Sequence, residues 1–140
     1  MPMRMRLSRG GAATAMISVA DGGGRREWGF GEVAAEVADV VAKISRADTS
    51  VGITMEAHIS LGCSPLVGFG PREQKEHFLP KMATGEIRAA FSLSEPEVGS
   101  DVQGIKSTAK KGEDGNWELN GQKMWVTNGL LSGVVFVLMK

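Results

Sequence analysis

The segment that decides the fold is Phe91 to Asp101, with the sequence Phe-Ser-Leu-Ser-Glu-Pro-Glu-Val-Gly-Ser-Asp. Its first four residues alternate apolar and hydroxyl side chains, which predicts a strand. Glu95-Pro96 and a Gly-Ser-Asp turn follow. Proline fixes the exit of the strand, glycine lets a ligand approach the backbone, and the Ser100 hydroxyl can donate to an anion. The segment therefore predicts one wall of a cofactor site.

A second segment, Gln122 to Asn128, has the sequence Gln-Lys-Met-Trp-Val-Thr-Asn. If it is a strand, Trp125 and Thr127 point to one face and Val126 to the other, because side chains alternate along a strand. An aromatic ring beside a hydroxyl suits a planar ligand. Each segment alone is more typical of a core strand or a plain turn, and it is their joint occurrence in this order that favours a ligand site.

Together the two segments resemble the flavin-binding signature of the acyl-CoA dehydrogenase family. The likeness includes Phe91 to Asp101, Gly104-Ile105-Lys106 and Gly121 to Gly129. It extends upstream to about Phe30 and so covers roughly four-fifths of the chain, and two ordered motifs are a specific signal. The resemblance implies FAD as the cofactor.

The same resemblance implies roles for individual residues. The backbone around Phe91 and Leu93, with the Ser94 hydroxyl, would hydrogen-bond the pyrimidine end of the flavin; most relatives carry threonine at the Ser94 position. Trp125 would lie against the ring, and Thr127 would donate near the flavin N5. Ser100, facing the pyrophosphate, also lies where relatives contact acyl-CoA and is the implied substrate-binding residue. The full set of implied cofactor-binding residues is Phe91, Leu93, Ser94, Gly99, Ser100, Trp125, Val126 and Thr127.

The implied reaction is the α,β-dehydrogenation of an acyl-CoA thioester, with hydride transfer to the FAD N5 and removal of the α-proton by a glutamate. An electron-transfer flavoprotein is the implied acceptor, and the parent enzyme is expected to be a homo-oligomer. In the family the glutamate belongs to a C-terminal helical domain that no segment here resembles. We assign Glu95 to turn geometry and hydrogen bonding, and assign no catalytic residue and no metal ligand. The isolated chain is expected to be an inactive fragment.

Two alternatives stay open from the sequence. The first is another enzyme on the same scaffold, an acyl-CoA oxidase or a flavin monooxygenase, which differs in how the reduced flavin meets oxygen. The second is a truncated, non-catalytic product that acts only as a binding or assembly fragment.

Composition narrows the class of protein. The chain has 16 basic and 16 acidic residues among 140, so no net charge favours a nucleic-acid partner. Its single cysteine, Cys63, excludes an intramolecular disulfide and fits a reducing compartment. We expect the cytoplasm in a bacterium or the mitochondrial matrix in a eukaryote, and favour the cytoplasm. No apolar stretch approaches the roughly 20 residues of a membrane span.

The N-terminal part of the chain divides into a leader and a helical region. Residues 1–29 show no period and are expected to be a disordered or non-native leader, and 30–88 a partial N-terminal helical domain. From 32 to 45 the apolar spacing predicts a packing helix with a buried stripe that includes Val40. Asp48 is expected to cap a second helix that Gly62 ends, and Pro71 to start a third. His58 is interpreted as structural, because no carboxylate or cysteine pattern accompanies it.

From residue 89 to 140 the period changes to 2, which predicts a partial middle β-domain. Asp114-Gly115 indicates a turn, and Asn120-Gly121 predicts a hairpin that joins Trp117–Leu119 to Met124–Val126. The expected class is α+β: a helical segment, then an antiparallel β-meander or partial β-barrel, truncated from a larger α/β/α three-domain fold. Because Lys140 is reached before that sheet is complete, an exposed sheet edge is expected.

Overall fold

The computed structural model describes residues 3–7, 14–17 and 31–140. The helices are α1 (Gly31–Ala47), α2 (Thr49–Glu56), α3 (Ser64–Phe69) and α4 (Arg72–Ala83), with a π-helix at Ala57–Cys63 between α2 and α3. The strands are β1 (Met3–Leu7), β2 (Thr14–Ile17), β3 (Ala89–Ser92), β4 (Thr108–Lys111), β5 (Trp117–Gly121) and β6 (Val134–Val137). The α+β class predicted from the sequence is confirmed.

The predicted first helix forms, but its apolar stripe is not buried. Val37, Val41 and Ile44 are half-buried, and Val40 is 49% exposed. Since burial of a stripe is what stabilises a helix rich in β-branched residues, α1 gains little from packing in this chain. The prediction of a buried packing face is wrong here.

Asp48 caps α2 as predicted, because its Oδ1 accepts from the backbone N–H groups of Ser50 and Val51 at 2.8 and 3.2 Å. Gly62, however, does not end the second helix. The helical backbone continues through the π-helix into α3 as far as Phe69. Gly62 is instead a point of close approach, because a Cβ there would lie 2.3 Å from the Cβ of Ala89 on β3. The glycine lets the π-helix pack against the sheet.

His58 joins the π-helix to its neighbours through both ring nitrogens. Nδ1 accepts from the backbone N–H of Ala89 at 3.0 Å, and Nε2 lies 3.0 Å from the carbonyl of Met82. One neutral tautomer, with the proton on Nε2, satisfies both contacts. These contacts confirm the structural interpretation of His58. Burial raises the pKa of the Cys63 thiol in the same π-helix, which makes Cys63 a poor nucleophile.

The strands form two open three-stranded sheets rather than a closed barrel. The first has the order β1-β5-β4 and is antiparallel, and the second has the order β2-β6-β3 and is parallel. The chain after β6 links the sheets, because Lys140 exchanges backbone hydrogen bonds with the β4 region, at 2.7 Å with Ala109 and 3.0 Å with Ser107. The purely antiparallel meander is therefore wrong, and β6 is a central strand rather than an edge.

The Asp114-Gly115 turn joins β4 to β5 as predicted, with Gly115 at a φ of 76°. The hairpin at Asn120-Gly121 does not form. Both edges of β5 are already occupied, by β1 and β4, so a further strand has no partner there. After Gly121 the chain crosses to β3, where the N–H of Met124 donates to the carbonyl of Ser94 at 2.9 Å.

The core is formed by two small clusters. One lies between the helices and the parallel sheet, and consists of Leu66, Met82, Ala89, Val134 and Phe136. The other comprises Leu119, Val137 and Met139 between the two sheets. Strands β1 and β2 lie within the expected leader, so those parts of it are not loop; the rest of residues 1–29 lies outside the described part. The division into leader and two partial domains remains a prediction, although β3 begins where the second was expected.

Candidate functional site

A cleft of about 170 Å³ lies where the π-helix, the end of β3 and the loop 122–128 meet. Each of the three contributes side chains to its wall. The lining is mostly apolar and includes two hydroxyls; it consists of Ala57, Leu61, Phe91, Leu93, Ser94, Met124, Trp125 and Thr127. The two segments singled out in the sequence therefore meet at one site.

The structure places most of the predicted residues in this cleft. Those that line it are Phe91, Leu93, Ser94, Trp125 and Thr127. Gly99, Ser100 and Val126 do not line it; Gly99 and Ser100 lie in an exposed turn beyond Val98, and a Cβ at Gly99 would meet no atom within 4 Å. The turn at Gly99 and Ser100 and the cleft are thus separate parts of this chain.

Three lining residues were missed from the sequence: Ala57, Leu61 and Met124. Ala57 and Leu61 are spaced four apart on the helical segment, a spacing that places both on one face. Met124 was placed in a strand. The spacing showed that Ala57 and Leu61 share a face, but only the packing of the π-helix on β3 shows what that face meets.

Trp125 and Thr127 share the cleft, but not through strand alternation. Residues 122–126 form no strand, and Trp125 has a φ of 57°. A positive φ is rare for a bulky side chain and marks a strained position. The indole is 84% exposed, so apolar burial within this chain does not account for the conformation. The prediction that the two side chains share one site holds, whereas the strand geometry behind it is wrong.

Glu95 lies at the exit of β3 and is the centre of a buried polar network. Its carboxylate accepts from the backbone N–H of Lys106 at 2.8 Å, the backbone N–H of Ser107 at 3.0 Å and Nζ of Lys123 at 2.9 Å. The side chains of Glu95 and Lys123 are only 4% and 6% exposed. The network supports the assignment of Glu95 to turn geometry rather than to proton abstraction.

The network holds the Glu95 carboxyl in its charged form. Burial raises its pKa, but the nearby Ser107 hydroxyl, the Lys123 ammonium and the two backbone N–H groups outweigh that effect and lower the pKa to about 2. The Ser107 hydroxyl is buried and has no hydrogen-bond partner among the described residues. A carboxylate this acidic is a poor base, and it does not line the cleft.

Lys123 connects the two segments directly. Besides the bond to Glu95, its Nζ donates to the carbonyl of Leu93 at 2.9 Å. At the other end of the loop, Nδ2 of Asn128 donates to the carbonyls of Thr54 and Ala89 at 3.0 and 3.4 Å. Asn128 itself has a φ of 66°, a conformation that asparagine tolerates better than most residues. The loop that carries Trp125 is therefore fixed at both ends.

Comparison with known proteins identifies the family. Residues 6–86 match the family model described as "Acyl-CoA dehydrogenase, N-terminal domain", and residues 90–140 match "Acyl-CoA dehydrogenase, middle domain". The chain belongs to the acyl-CoA dehydrogenase family. Its matched residues include every residue that lines the cleft.

Relatives come from mitochondria and from bacteria. The mitochondrial very long-chain specific acyl-CoA dehydrogenase of Macaca fascicularis is 41% identical over 113 residues, which are 80% of this chain and 17% of that protein. An acyl-CoA dehydrogenase from Bacillus anthracis, whose crystal structure is a complex with FAD, is 44% identical with a TM-score of 0.68, over 72% of this chain and 18% of that one. A prolyl acyl carrier protein oxidase is 43% identical with a TM-score of 0.54, over 56% and 21% respectively. The chain thus spans only a small part of each relative.

The cleft of this acyl-CoA dehydrogenase chain fits part of a flavin. It offers an exposed indole face, and the side-chain hydroxyls of Ser94 and Thr127 have no hydrogen-bond partner among the described residues. A planar ring with polar edges can use both features. The volume of about 170 Å³ is smaller than the roughly 300–1,000 Å³ of complete small-molecule sites, so the cleft accommodates one part of such a ligand.

The described residues contain no cluster of three or more histidine, cysteine, aspartate or glutamate side chains that could hold a metal ion. No helix in the described part of the chain is long and apolar enough to span a membrane.

Proposed function

We propose that this chain supplies one wall of the flavin site of an acyl-CoA dehydrogenase that oxidises an acyl-CoA thioester between its α and β carbons. The chemistry that FAD would supply at this site is the acceptance of a hydride from the β-carbon. The observation that carries the proposal is the meeting of both sequence segments at one cleft, with an exposed indole and two side-chain hydroxyls on its wall.

The residues of the chain would divide the work of binding. Trp125 presents an aromatic face for the ring, and the Ser94 and Thr127 hydroxyls supply donors along its edge. The backbone around Phe91 and Leu93 is proposed to hydrogen-bond the pyrimidine end of the ring. Gly99 and Ser100, on the turn outside the cleft, are proposed to bind the anionic pyrophosphate, and Ser100 is also proposed to contact the acyl-CoA. Val126 is proposed to contribute to cofactor binding because it lies between Trp125 and Thr127 in the sequence.

Proton abstraction requires a base that the cleft does not contain. None of its lining residues is a carboxylate, histidine or lysine. We therefore propose that the 140-residue chain is a fragment, orients a flavin weakly and does not turn over. Acyl-CoA-dependent bleaching of a flavin bound to this chain alone would contradict that.

The remaining parts of the proposal follow from the family. An electron-transfer flavoprotein is proposed as the electron acceptor, and a homo-oligomer as the parent assembly. The cytoplasm of a bacterium is proposed over the mitochondrial matrix; relatives occur in both settings. An oxidase on the same scaffold is the second candidate, favoured by the similarity to a prolyl acyl carrier protein oxidase. Measuring hydrogen peroxide formation by the complete enzyme in air separates the two.

Flavin binding can be tested residue by residue with the tryptophan indole signals. The chain, labelled with ¹⁵N, is titrated with FAD, and the indole N–H resonances of Trp125 and Trp117 are followed, after assignment with W125F and W117F. We expect Trp125 to shift with a Kd of about 0.1–1 mM, a binding free energy of roughly −4 to −5.5 kcal/mol. Trp117 lies on β5, outside the cleft, and should not move.

The titration has two outcomes that contradict the proposal. One is no shift of Trp125 at FAD concentrations several times the expected Kd. The other is an equal shift of Trp117, which indicates non-specific association. AMP serves as a matched control, since it carries a phosphate and an adenine but no flavin ring and should leave Trp125 in place.

A further inference from the structure

The loop that carries Trp125 holds an unfavourable backbone conformation that its own packing does not explain. Trp125 has a φ of 57° while its side chain is 84% exposed. A strained conformation persists only where the surrounding structure determines it. The contacts that determine it must therefore lie on either side of Trp125 rather than at the indole.

The N-terminal anchor of the loop is the Glu95–Lys123 ion pair. Lys123 is two residues before Trp125, and its Nζ contacts both the Glu95 carboxylate and the Leu93 carbonyl at 2.9 Å. The next residue, Met124, donates its backbone N–H to Ser94. The loop is thus fixed to three successive residues at the exit of β3, two of which line the cleft.

We propose that the buried Glu95–Lys123 pair is a positioning device that holds Trp125 over the cleft. Neither residue touches the cleft, so both act through the backbone of the loop. Their effect on Trp125 does not depend on a ligand, whereas their effect on FAD binding rests on the proposed function.

Geometry distinguishes this pair from a general stabilising contact. Lysine has a long flexible stem and normally keeps its ammonium in water, yet Lys123 is 6% exposed. Its ammonium bonds only to the segment 93–95 among the described residues, so it fixes the loop to that segment and to no other. The Glu95 carboxylate in turn accepts hydrogen bonds from the backbone N–H groups of residues 106 and 107. Its position is therefore fixed by contacts other than the one with Lys123.

Asn128 provides the second anchor, at the C-terminal end of the loop. Its amide reaches α2 and β3 through Thr54 and Ala89, while its own backbone is left-handed. With both ends fixed, the segment between Lys123 and Asn128 has few conformations available, and the left-handed one at Trp125 is the one observed. Loss of either anchor should release it.

Amide hydrogen exchange tests the proposal without any ligand. In the full chain, Lys123→Met keeps an unbranched side chain but removes the ammonium. The exchange of the Met124 N–H, which donates to Ser94, should become at least about tenfold faster. The Leu138 N–H, which donates to Ser92 at 3.0 Å beside the same strand, reports the global loss of stability, and its exchange should accelerate clearly less than that of Met124. Glu97→Gln, which removes one partner of an exposed lysine pair on the same turn, should change neither amide.

The outcomes distinguish a positioning role of the Glu95–Lys123 pair from a general stabilising role. The proposal is overturned if the exchange of the Met124 N–H is unchanged. It is also overturned if Met124 loses protection only to the same extent as Leu138, because that result indicates global destabilisation. Lys123→Arg, which keeps the charge, should restore at least part of the Met124 protection. If K123M does not fold, Glu95→Gln carries the test, because it keeps the shape of the side chain and removes the charge that holds Lys123; the Met124 N–H should again exchange faster, and by more than the Leu138 N–H.

An FAD titration of the same variants shows which proposal fails. If wild type shows the Trp125 indole shift and K123M loses it while Met124 exchange rises, both proposals stand. If exchange rises in K123M but wild type never shows a FAD-dependent shift, positioning stands and the flavin proposal fails. If wild type binds FAD and Met124 exchange is unchanged in K123M, only the positioning proposal fails.

Discussion

Two lysine–glutamate pairs lie near the exit of β3, and they have opposite surroundings. Lys123 and Glu95 are 6% and 4% exposed, with N–H donors and a carbonyl acceptor around them. The side chains of Lys106 and Glu97 are 69% and 70% exposed and pair with each other. The backbone N–H of Lys106 belongs to the first network while its ammonium belongs to the second. The comparison shows that residue type and distance alone do not determine how much an ion pair stabilises the fold, because exposure to solvent sets that contribution.

The largest expected effect comes from removing one charge of the buried pair. Glu95→Ala leaves the Lys123 ammonium and two backbone N–H groups buried without their acceptor. We expect a loss of about 3–5 kcal/mol in the free energy of unfolding. Urea titration followed by far-UV circular dichroism measures it, and Glu97→Ala is the matched control. Equal losses in the two variants would show that burial does not distinguish the pairs.

The next largest effect on stability is expected from lowering the pH. The pKa of Glu95 is lowered from an ordinary value of 4.5 to about 2, so its charged form stabilises the fold fully above pH 4.5 and loses that contribution as the pH falls through about 2. The loss is roughly 1–3 kcal/mol, where the lower figure allows for solvent screening.

Unfolding measured at several pH values between 5 and 2 tests this. Wild type and Glu97→Gln should both lose stability over that range, and Glu95→Gln should lack the Glu95 part of the loss. A slope in Glu95→Gln as steep as in wild type would mean that other carboxylates account for the acid sensitivity.

A smaller effect is expected at Trp125, the residue that the buried pair is proposed to hold. Its positive φ is costly for tryptophan and easier for asparagine, and its exposed indole gains little from burial in this chain. Trp125→Asn should therefore stabilise the chain by about 0.5–1 kcal/mol while removing the aromatic face of the cleft. Trp125→Phe keeps both the strain and an aromatic ring and should leave stability unchanged. Destabilisation by W125N in the same urea titration would show that the indole itself supports the loop.

The sequence predicted those features of the fold that are determined locally. The Asp48 cap, the strand at β3 and the Asp114-Gly115 turn each depend on a few adjacent residues, and all three form. The Asn120-Gly121 hairpin depends on the same kind of signal, but it fails because β5 already has a strand on each side. A local turn signal cannot report which strand edges are free.

Most residues that line the cleft were predictable from the sequence, whereas the residues that support it were not. Phe91 and Trp125 were assigned because their two motifs, in this order, resemble the flavin-binding signature of the family. Lys123 was not, since a lysine between glutamine and methionine is typical of a solvated position. Its burial depends on Glu95 and Leu93, which are close to it only after the loop has crossed to β3. Ala57 and Leu61 were missed for the same reason, because their neighbour is the sheet.

The exposed pair gives the smallest expected effect and completes the comparison. Glu97→Gln should change the free energy of unfolding by less than about 1 kcal/mol, because both charges are solvated and the pair immobilises two long side chains. Whatever effect remains should disappear in about 1 M salt, where the Debye length is about 3 Å. Lys123→Met, measured in the same salt series, should keep most of its effect, since the Glu95–Lys123 pair is shielded from ions by burial rather than screened by them. If salt removed both effects alike, the buried pair would have to be accessible to solvent in solution, and its proposed hold on Trp125 would fail with it.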